Sequence, residues 1–321
     1  MLEFFLSQIR EDLRVVEHEI AKIVQTRDPL LTETSMHLLN AGGKRLRPAF
    51  ALLAGRFYDY SLEKLLPLAV ALELIHMASL VHDDVVDASM TRRGIPTVKA
   101  NWGNKISMHT GDYLFAKSLV LISAYEEPLI ARVLAETSVR MCEGEIHQIS
   151  TAYSANQSWR DYFYRIERKT ALLIAASCQL GAVAAGAPER EHTRLGRFGH
   201  QLGMAFQITD DILDMVADQR ELGKPIGGDL RQGILTMPVI YSLEKSPRRE
   251  RLRELVEIRE KTEDQVTEAI EIIKEAGGIQ HAFEASLKYI EKAKKNLSYL
   301  PDMPVKQTFQ QIADFIGIRR F

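Results

Sequence analysis

Residues 68–87 read LAVALELIHMASLVHDDVVD. The apolar part is too long for an ordinary strand and carries no internal glycine or proline, so the run predicts a helix. It ends in Asp83, Asp84 and Asp87, and spacings of three and four put those carboxylates on one helical face. The pattern returns at FQITDDILD, residues 206–214, with Asp210, Asp211 and Asp214 closing a second apolar helix. One such cluster reads equally well as a solvated acidic face. Two weaken that reading, because like charges four residues apart and negative charge near a helix C-terminus both destabilise. Cations that neutralise the carboxylates explain both copies. Oxygen-only donors without His or Cys suit Mg²⁺, with Mn²⁺ as a substitute, and Mg²⁺ commonly shares its shell with substrate phosphate.

Outward from these motifs the chain stays helical. Proline and glycine are sparse, 11 and 19 of 321 residues, and no proline interrupts Pro128 to Pro188 or Pro247 to Pro301. Apolar spacing predicts helices over about 3–25, 30–40, 45–58, 61–88, 104–125, 128–152, 158–187, 191–218, 229–245, 263–276, 278–297 and 305–317. Strands have little support, and no linker divides the chain, so residues 1–321 are expected to form a single all-α domain. Forty-one basic against 43 acidic residues leave a net charge of −2, which gives no field for nucleic acid. The two cysteines make neither a disulfide framework nor a zinc site. The charged N-terminus does not read as a signal peptide, no stretch reads as a transmembrane segment, and a cytoplasmic location is expected.

Local basic clusters supply what the net charge lacks. Gly42-Gly43-Lys44-Arg45-Leu46-Arg47-Pro48 opens a helix with glycines and cations, a setting suited to an anion. Arg92-Arg93 follow the first acidic motif, Lys169-Thr170 sit within a helix, and Lys224 follows the second motif. Each alone is more often a solvated surface. Together they can ligate two diphosphates, one held by metal and one by side chains.

The chain resembles the trans-isoprenyl diphosphate synthases over nearly its whole length. The matching motifs are GGKRLRP (42–48), LELIHMASLVHDDVVD (72–87) with TRRG (91–94), ERKTA (167–171), and FQITDDILD (206–214) with LGKPIGGDL (222–230). HLLNAGGKRLRPAF, HMASLVHDD and KTALLIAASCQLGA are most similar to the catalytic component of two-component heptaprenyl synthases of Gram-positive bacteria. The resemblance implies the isoprenoid synthase fold, antiparallel helices around a central cavity with the aspartate motifs facing across it. It assigns Lys44, Arg47, His76 and Arg93 to isopentenyl diphosphate. It gives Asp83, Asp84, Asp87, Asp210, Asp211 and Asp214 to Mg²⁺ and the allylic diphosphate, with Arg92, Lys169, Thr170, Gln207 and Lys224 on the allylic side. Without it, His76 reads as a core histidine of an apolar helix. One position departs: the family commonly has Gly-Lys-x-Thr where this chain has Gly233-Ile234-Leu235-Thr236, so no role falls to Ile234. Arg319-Arg320 read as a solvated basic tail.

The implied reaction ionises an allylic primer, farnesyl diphosphate by resemblance, and adds isopentenyl diphosphate to the cation. The implied product is a heptaprenyl chain for menaquinone, and the implied partner is a small non-catalytic subunit in a heterodimer. A self-sufficient synthase of another chain length and a non-catalytic isoprenoid-binding subunit are the alternatives. A terpene cyclase fits less well because its second metal motif mixes Asn, Ser and Glu. A metal phosphohydrolase would need patterned histidines, which the nine histidines do not form. Chain growth would run past Ser79 and Ala78, then Ile75 and Leu72. In the family, bulky aromatic residues four and five places before the first aspartate stop growth early; here both positions are small.

Overall fold

The computed structural model of the protein describes residues 7–216 and 226–318. Lys224, Arg319 and Arg320 lie outside them. Among the described residues the regular structure is helical apart from one short hairpin. The chain groups into two compact units. One comprises the described residues of Met1–Ser138, Ala176–Gly196 and Tyr299–Phe309, the other those of Val139–Ala175, Arg197–Ser298 and Gln310–Phe321.

The first unit is built around two helices that are apolar on nearly every side. In chain order it begins with α1 (Arg10–Ile23), α2 (Pro29–Asn40), α3 (Leu46–Gly55), α4 (Leu62–Val86) and α5 (Val98–Ile122). Every residue of α3 except Arg47 is buried. A Cβ on Gly181 would lie 2.1 Å from the Ala51 carbonyl oxygen, so backbone meets α3 directly there. Helix α4 is long and apolar enough to cross a membrane by composition, but it is largely buried within the protein, as a core helix is.

Pro67 lies inside α4 and lacks the N–H that its turn needs. The Tyr125 hydroxyl enters the opened ladder, accepting from Leu68 N at 3.0 Å and donating to Lys64 O at 2.5 Å. Burial pushes that phenol up to about 12, so it remains a donor at any physiological pH. At the other end of α4 the His82 ring fills the space over Gly111 of α5, where a Cβ would meet Nε2 at 2.3 Å. The aspartate-bearing turn is thereby seated on its neighbour.

A hairpin between α4 and α5 is the one place among the described residues where strands, which have little support in the sequence, occur. Thr91–Arg92 pairs antiparallel with Ile95–Pro96, and the central residues Arg93 and Gly94 have φ of 53° and 80°. Two positive φ values are what a two-residue hairpin of matching twist requires, and glycine supplies one without cost. The His37 ring holds the hairpin to α2, with Nε2 2.7 Å from the Pro96 carbonyl oxygen.

Chain order continues through α6 (Pro128–Thr151), α7 (Trp159–Ile166), a π-helical turn at Glu167–Ala171, α8 (Leu172–Ala184) and α9 (Glu189–Val216). Then come α10 (Gly228–Arg231), α11 (Met237–Lys245), α12 (Arg249–Glu257), α13 (Glu263–Glu275), α14 (Gly278–Leu297) and α15 (Pro304–Ile318). The core of the second unit gathers Tyr162, Ile208, Ile212, Leu235, Leu255 and Ile272. The expected helix over 158–187 is interrupted by the π turn, a feature common at functional positions. The expected helix over 229–245 is two helices. Between them Gly233 takes a φ of 70° under Tyr153, with no room for a Cβ. Helix α12 escapes the sequence reading because RERLRELVE buries only Leu252, Leu255 and Val256 among its charges.

Since the contact at Gly181 is with backbone, neither side can rotate away. Gly181→Ala should lower stability by about 1–3 kcal/mol, the usual cost of overpacking, read as a reduced thermal midpoint in calorimetry.

Candidate active site

Each unit carries its own cluster of charged side chains. In the first, the basic loop ahead of α3, one face of α4 and the hairpin converge. Arg47, the single α3 residue that is not buried, brings Nη1 within 3.3 Å of His76 Nε2. Burial pushes His76 well below the usual imidazole range, and Arg47, Arg93, Arg92 and Arg45 push it further. The ring is therefore neutral, and its Nε2 accepts from Arg47. Arg93 is also lowered, first by burial and then by Arg45, with Glu73 acting the other way. Crowded cations of this kind are the electrostatic mark of a site for a multivalent anion. Lys44 is exposed beside them.

The first aspartate motif adjoins this cluster. Asp84 is buried and receives Arg92, whose Nε and Nη2 lie 2.9 and 2.7 Å from its Oδ1. Arg92 thus braces the motif from the hairpin. Asp83 and Asp87 are partly exposed at the end of α4. Of the residues expected to set product length, Ala78 and Ile75 are buried on α4, and the Ser79 hydroxyl donates to His76 O at 2.8 Å.

In the second unit the π turn presents Lys169 and Thr170. Lys169 Nζ lies 3.5 Å from Glu145 Oε2 and 3.4 Å from Gln148 Oε1. Thr170 donates to Gln207 Oε1 at 2.6 Å, and Gln207 Nε2 donates to Asp211 Oδ1 at 2.9 Å. The buried Tyr162 hydroxyl donates to Asp211 Oδ2 at 2.8 Å. Asp214 takes the backbone N–H groups of Gly228 and Asp229, each at 3.1 Å, and so anchors α10 as well as carrying charge.

Sequence reasoning assigned nothing to Tyr162, Arg165 or Asp229. Asp229 sits within LGKPIGGDL, so an acid in a quoted motif was the available signal; Tyr162 and Arg165 carry none. Ile234 is buried, in keeping with the absence of a cation there. A buried cation, Arg165, reaches the next residue. Its Nη2 donates to Leu235 O at 2.7 Å, and its charge pulls the Asp211 carboxyl down.

Burial and the charge of Asp229 outweigh that pull and raise Asp211 to about 8. A divalent cation relieves this repulsion, so the oxygen donors of the second unit fit one. Among the described residues no three His, Cys, Asp or Glu side chains gather tightly enough to hold an ion alone. A bound ion would complete its shell with water and diphosphate oxygens, which is how Mg²⁺ is usually held.

A helical fold, a crowded cationic cluster and two acidic motifs with oxygen-only donors are the features of a prenyltransferase, and the comparisons with known proteins bear this out. The polyprenyl synthetase family model matches residues 28–273, and the chain belongs to that family, whose members depend on divalent metal. It is 48% identical to heptaprenyl diphosphate synthase component 2 of Bacillus subtilis, over 98% of this chain and 90% of that one. The same identity to the Geobacillus stearothermophilus component 2 extends over 100% and 99%. Among solved structures, the heptaprenyl diphosphate synthase of Staphylococcus aureus superposes with a TM-score of 0.92 at 36% identity, covering 98% of this chain and 99% of that one. A Caulobacter crescentus polyprenyl synthase, complexed with calcium and isoprenyl diphosphate, gives 0.95 at 33% identity, covering 100% and 98%. These likenesses place the chain in the isoprenoid synthase fold.

Asp211 makes stability depend on pH. Its carboxyl is raised in the folded state, so the native protein binds the extra proton and stability falls as pH rises from about 4 through about 8. The thermal midpoint of chelator-treated protein should therefore drop between pH 6 and pH 8.5. Divalent cation, or Asp211→Asn, should flatten that dependence in differential scanning fluorimetry.

Proposed function

We propose that the chain is the catalytic subunit of a medium-chain all-trans polyprenyl diphosphate synthase, with heptaprenyl diphosphate as product. The observation that carries this reading is the neutral His76 set among Arg47, Arg93, Arg92 and Arg45, on the helix that ends in Asp83, Asp84 and Asp87. A cationic clamp that recognises one diphosphate, adjacent to carboxylates that recruit metal for another, suits a reaction joining two diphosphates. On this reading both units belong to one synthase domain, residues 1–321. Mg²⁺ is the metal, held by Asp83, Asp84, Asp87, Asp210, Asp211 and Asp214.

The division of labour follows from the side chains. Lys44, Arg47, His76 and Arg93 hold isopentenyl diphosphate and orient its double bond, so the addition is effectively unimolecular. Lys169, with Lys224 and Arg92, stabilises negative charge as the allylic C–O bond breaks. Bound Mg²⁺ supplies Lewis-acid stabilisation of the leaving diphosphate. Thr170 gives its hydrogen to Gln207, which leaves the hydroxyl lone pairs for the developing allylic cation. The double bond attacks, the new C–C bond forms, and the proton is lost to a released diphosphate oxygen. The aspartates hold charge; they are neither nucleophiles nor general acids.

The names of the two component 2 relatives support a second component, and on this reading it is a small, non-catalytic subunit that forms a heterodimer with the chain. Farnesyl diphosphate is the primer, the cytoplasm the location, and the menaquinone side chain the destination of the product. The test incubates the pure chain with labelled isopentenyl diphosphate, farnesyl diphosphate and Mg²⁺, with and without that subunit. Elongation that appears only with the subunit supports the reading. Full activity alone would replace it with a self-sufficient synthase. In the active complex, Asp83→Ala or Asp210→Ala should cost about 10²-fold or more in rate while folding is retained.

Product length follows from α4. Ala78 and Ser79 lie one turn before Asp83, the direction in which a growing tail leaves the carboxylates. Their small size leaves room for about seven isoprene units, a length drawn from the resemblance. Ala78→Phe should shorten the product with catalysis retained, as chromatography of dephosphorylated prenols would reveal. Full-length product from that variant would mean that this face of α4 does not guide the tail.

A further inference from the structure

Arg45 stands between Lys44 and Arg47 in GGKRLRP, inside the basic cluster whose setting suits an anion. Its surroundings assign it elsewhere. The side chain is only 6% exposed, and its backbone takes a left-handed φ of 47°, unusual for a residue with a Cβ. Nε donates to Glu17 Oε1 at 3.0 Å and Nη2 to Leu39 O at 3.0 Å. Nη1 donates to Gly42 O at 3.4 Å and to Glu73 Oε1 at 3.1 Å. A guanidinium has five N–H donors, and four of these are committed inside the protein.

Those bonds fix the backbone that leads into the clamp. Leu39 O and Gly42 O bracket the exit from α2, and the next residues are Gly43 and Lys44. A Cβ on Gly43 would lie 2.6 Å from Arg93 Nη1 and 3.1 Å from Arg45 Nη1, so the Arg93 guanidinium rests on the strip of backbone that Arg45 ties down. Glu73 holds Arg45 from α4, three residues before His76 and therefore on the same face. Its side chain is 3% exposed, its Oε2 is buried with no hydrogen-bond partner among the described residues, and its charge opposes the lowering of Arg93 by burial and by Arg45. A buried ion pair is a poor device for stability alone, because desolvation consumes most of the Coulomb gain. Its better-attested use is to fix one arrangement among several.

We propose that Arg45 and Glu73 are positioning residues for the isopentenyl diphosphate clamp. They contribute no ligand themselves and lock the Gly42–Lys44 loop, Arg93 and the His76 face of α4 into one constellation. This rests on the reading of that cluster as the isopentenyl diphosphate site.

The experiment compares Arg45→Met, Glu73→Leu and their double variant with the wild-type chain, assembled with its partner subunit if activity requires it. Each single change leaves a buried charge unpaired and should lower the thermal midpoint. The double change removes both charges and should recover most of that loss. The KM for isopentenyl diphosphate should nevertheless stay raised by about tenfold or more in the double variant, equivalent to at least ~1.4 kcal/mol of lost binding. The KM for the allylic substrate should stay within about twofold of wild type. Arg45→Lys keeps a charge beside Glu73 but cannot span both carbonyls. It guards against a Met variant that does not fold, and it too should raise the isopentenyl KM selectively. A double variant that regains both midpoint and isopentenyl KM would overturn the proposal, as would equal rises for the two substrates or a normal KM in Arg45→Lys. Failure of wild-type protein to bind isopentenyl diphosphate in calorimetry would instead remove the functional reading beneath it.

Discussion

Charge must be carried on helices whose remaining surface belongs to the core, and the rest of the molecule answers to that constraint. Helix α4 is apolar over most of its length and still ends in three carboxylates; α3 is buried except for Arg47. The burial makes these helices rigid, which sets the placement of the charges. It also removes the water that would otherwise stabilise them. Each charge therefore has a dedicated protein partner or a shifted protonation. Asp84 takes Arg92, Arg45 takes Glu73, Asp211 takes Tyr162 and Gln207, and His76 gives up its proton. What the partners leave unbalanced, a crowd of guanidiniums in one unit and an Asp211–Asp229 pair in the other, is complementary to a diphosphate and to a divalent cation respectively.

The helices were legible because period and the scarcity of proline and glycine agree along most of the chain. The parts that were not legible share a cause. Two-residue strands at Thr91–Arg92 and Ile95–Pro96 are too short to show alternation, and their turn depends on Arg93 accepting a positive φ. Helix α12 hides three core residues among charges, and the break at Gly233 is set by the Tyr153 ring from elsewhere in the chain. In each case a tertiary contact decides what local pattern cannot.

The same division holds for the charged clusters. Asp83, Asp210, Lys44 and Arg47 stood out because a charge at the end of an apolar helix is costly enough to need a reason. Tyr162 and Arg165 carry no such contrast, being a tyrosine and an arginine in a segment rich in both. Glu73 was visible as the single acid in the apolar part of α4, yet its meaning depends on Arg45, which reaches it from a loop 28 residues earlier. Isolated charges advertise themselves in sequence; the groups that hold them do not.

The hydroxyl of Tyr125 in the gap left by Pro67 has a consequence for how sequences of this kind can drift. The proline opens the ladder, and the phenol supplies both an acceptor and a donor to close it. Phenylalanine at 125 would strand the Leu68 N–H and the Lys64 carbonyl together. A residue with its own N–H at 67 would let the helix close and leave the phenol competing for groups already satisfied. Neither position should change first without loss, so the two are expected to behave as one heritable character, exchanged together or retained together.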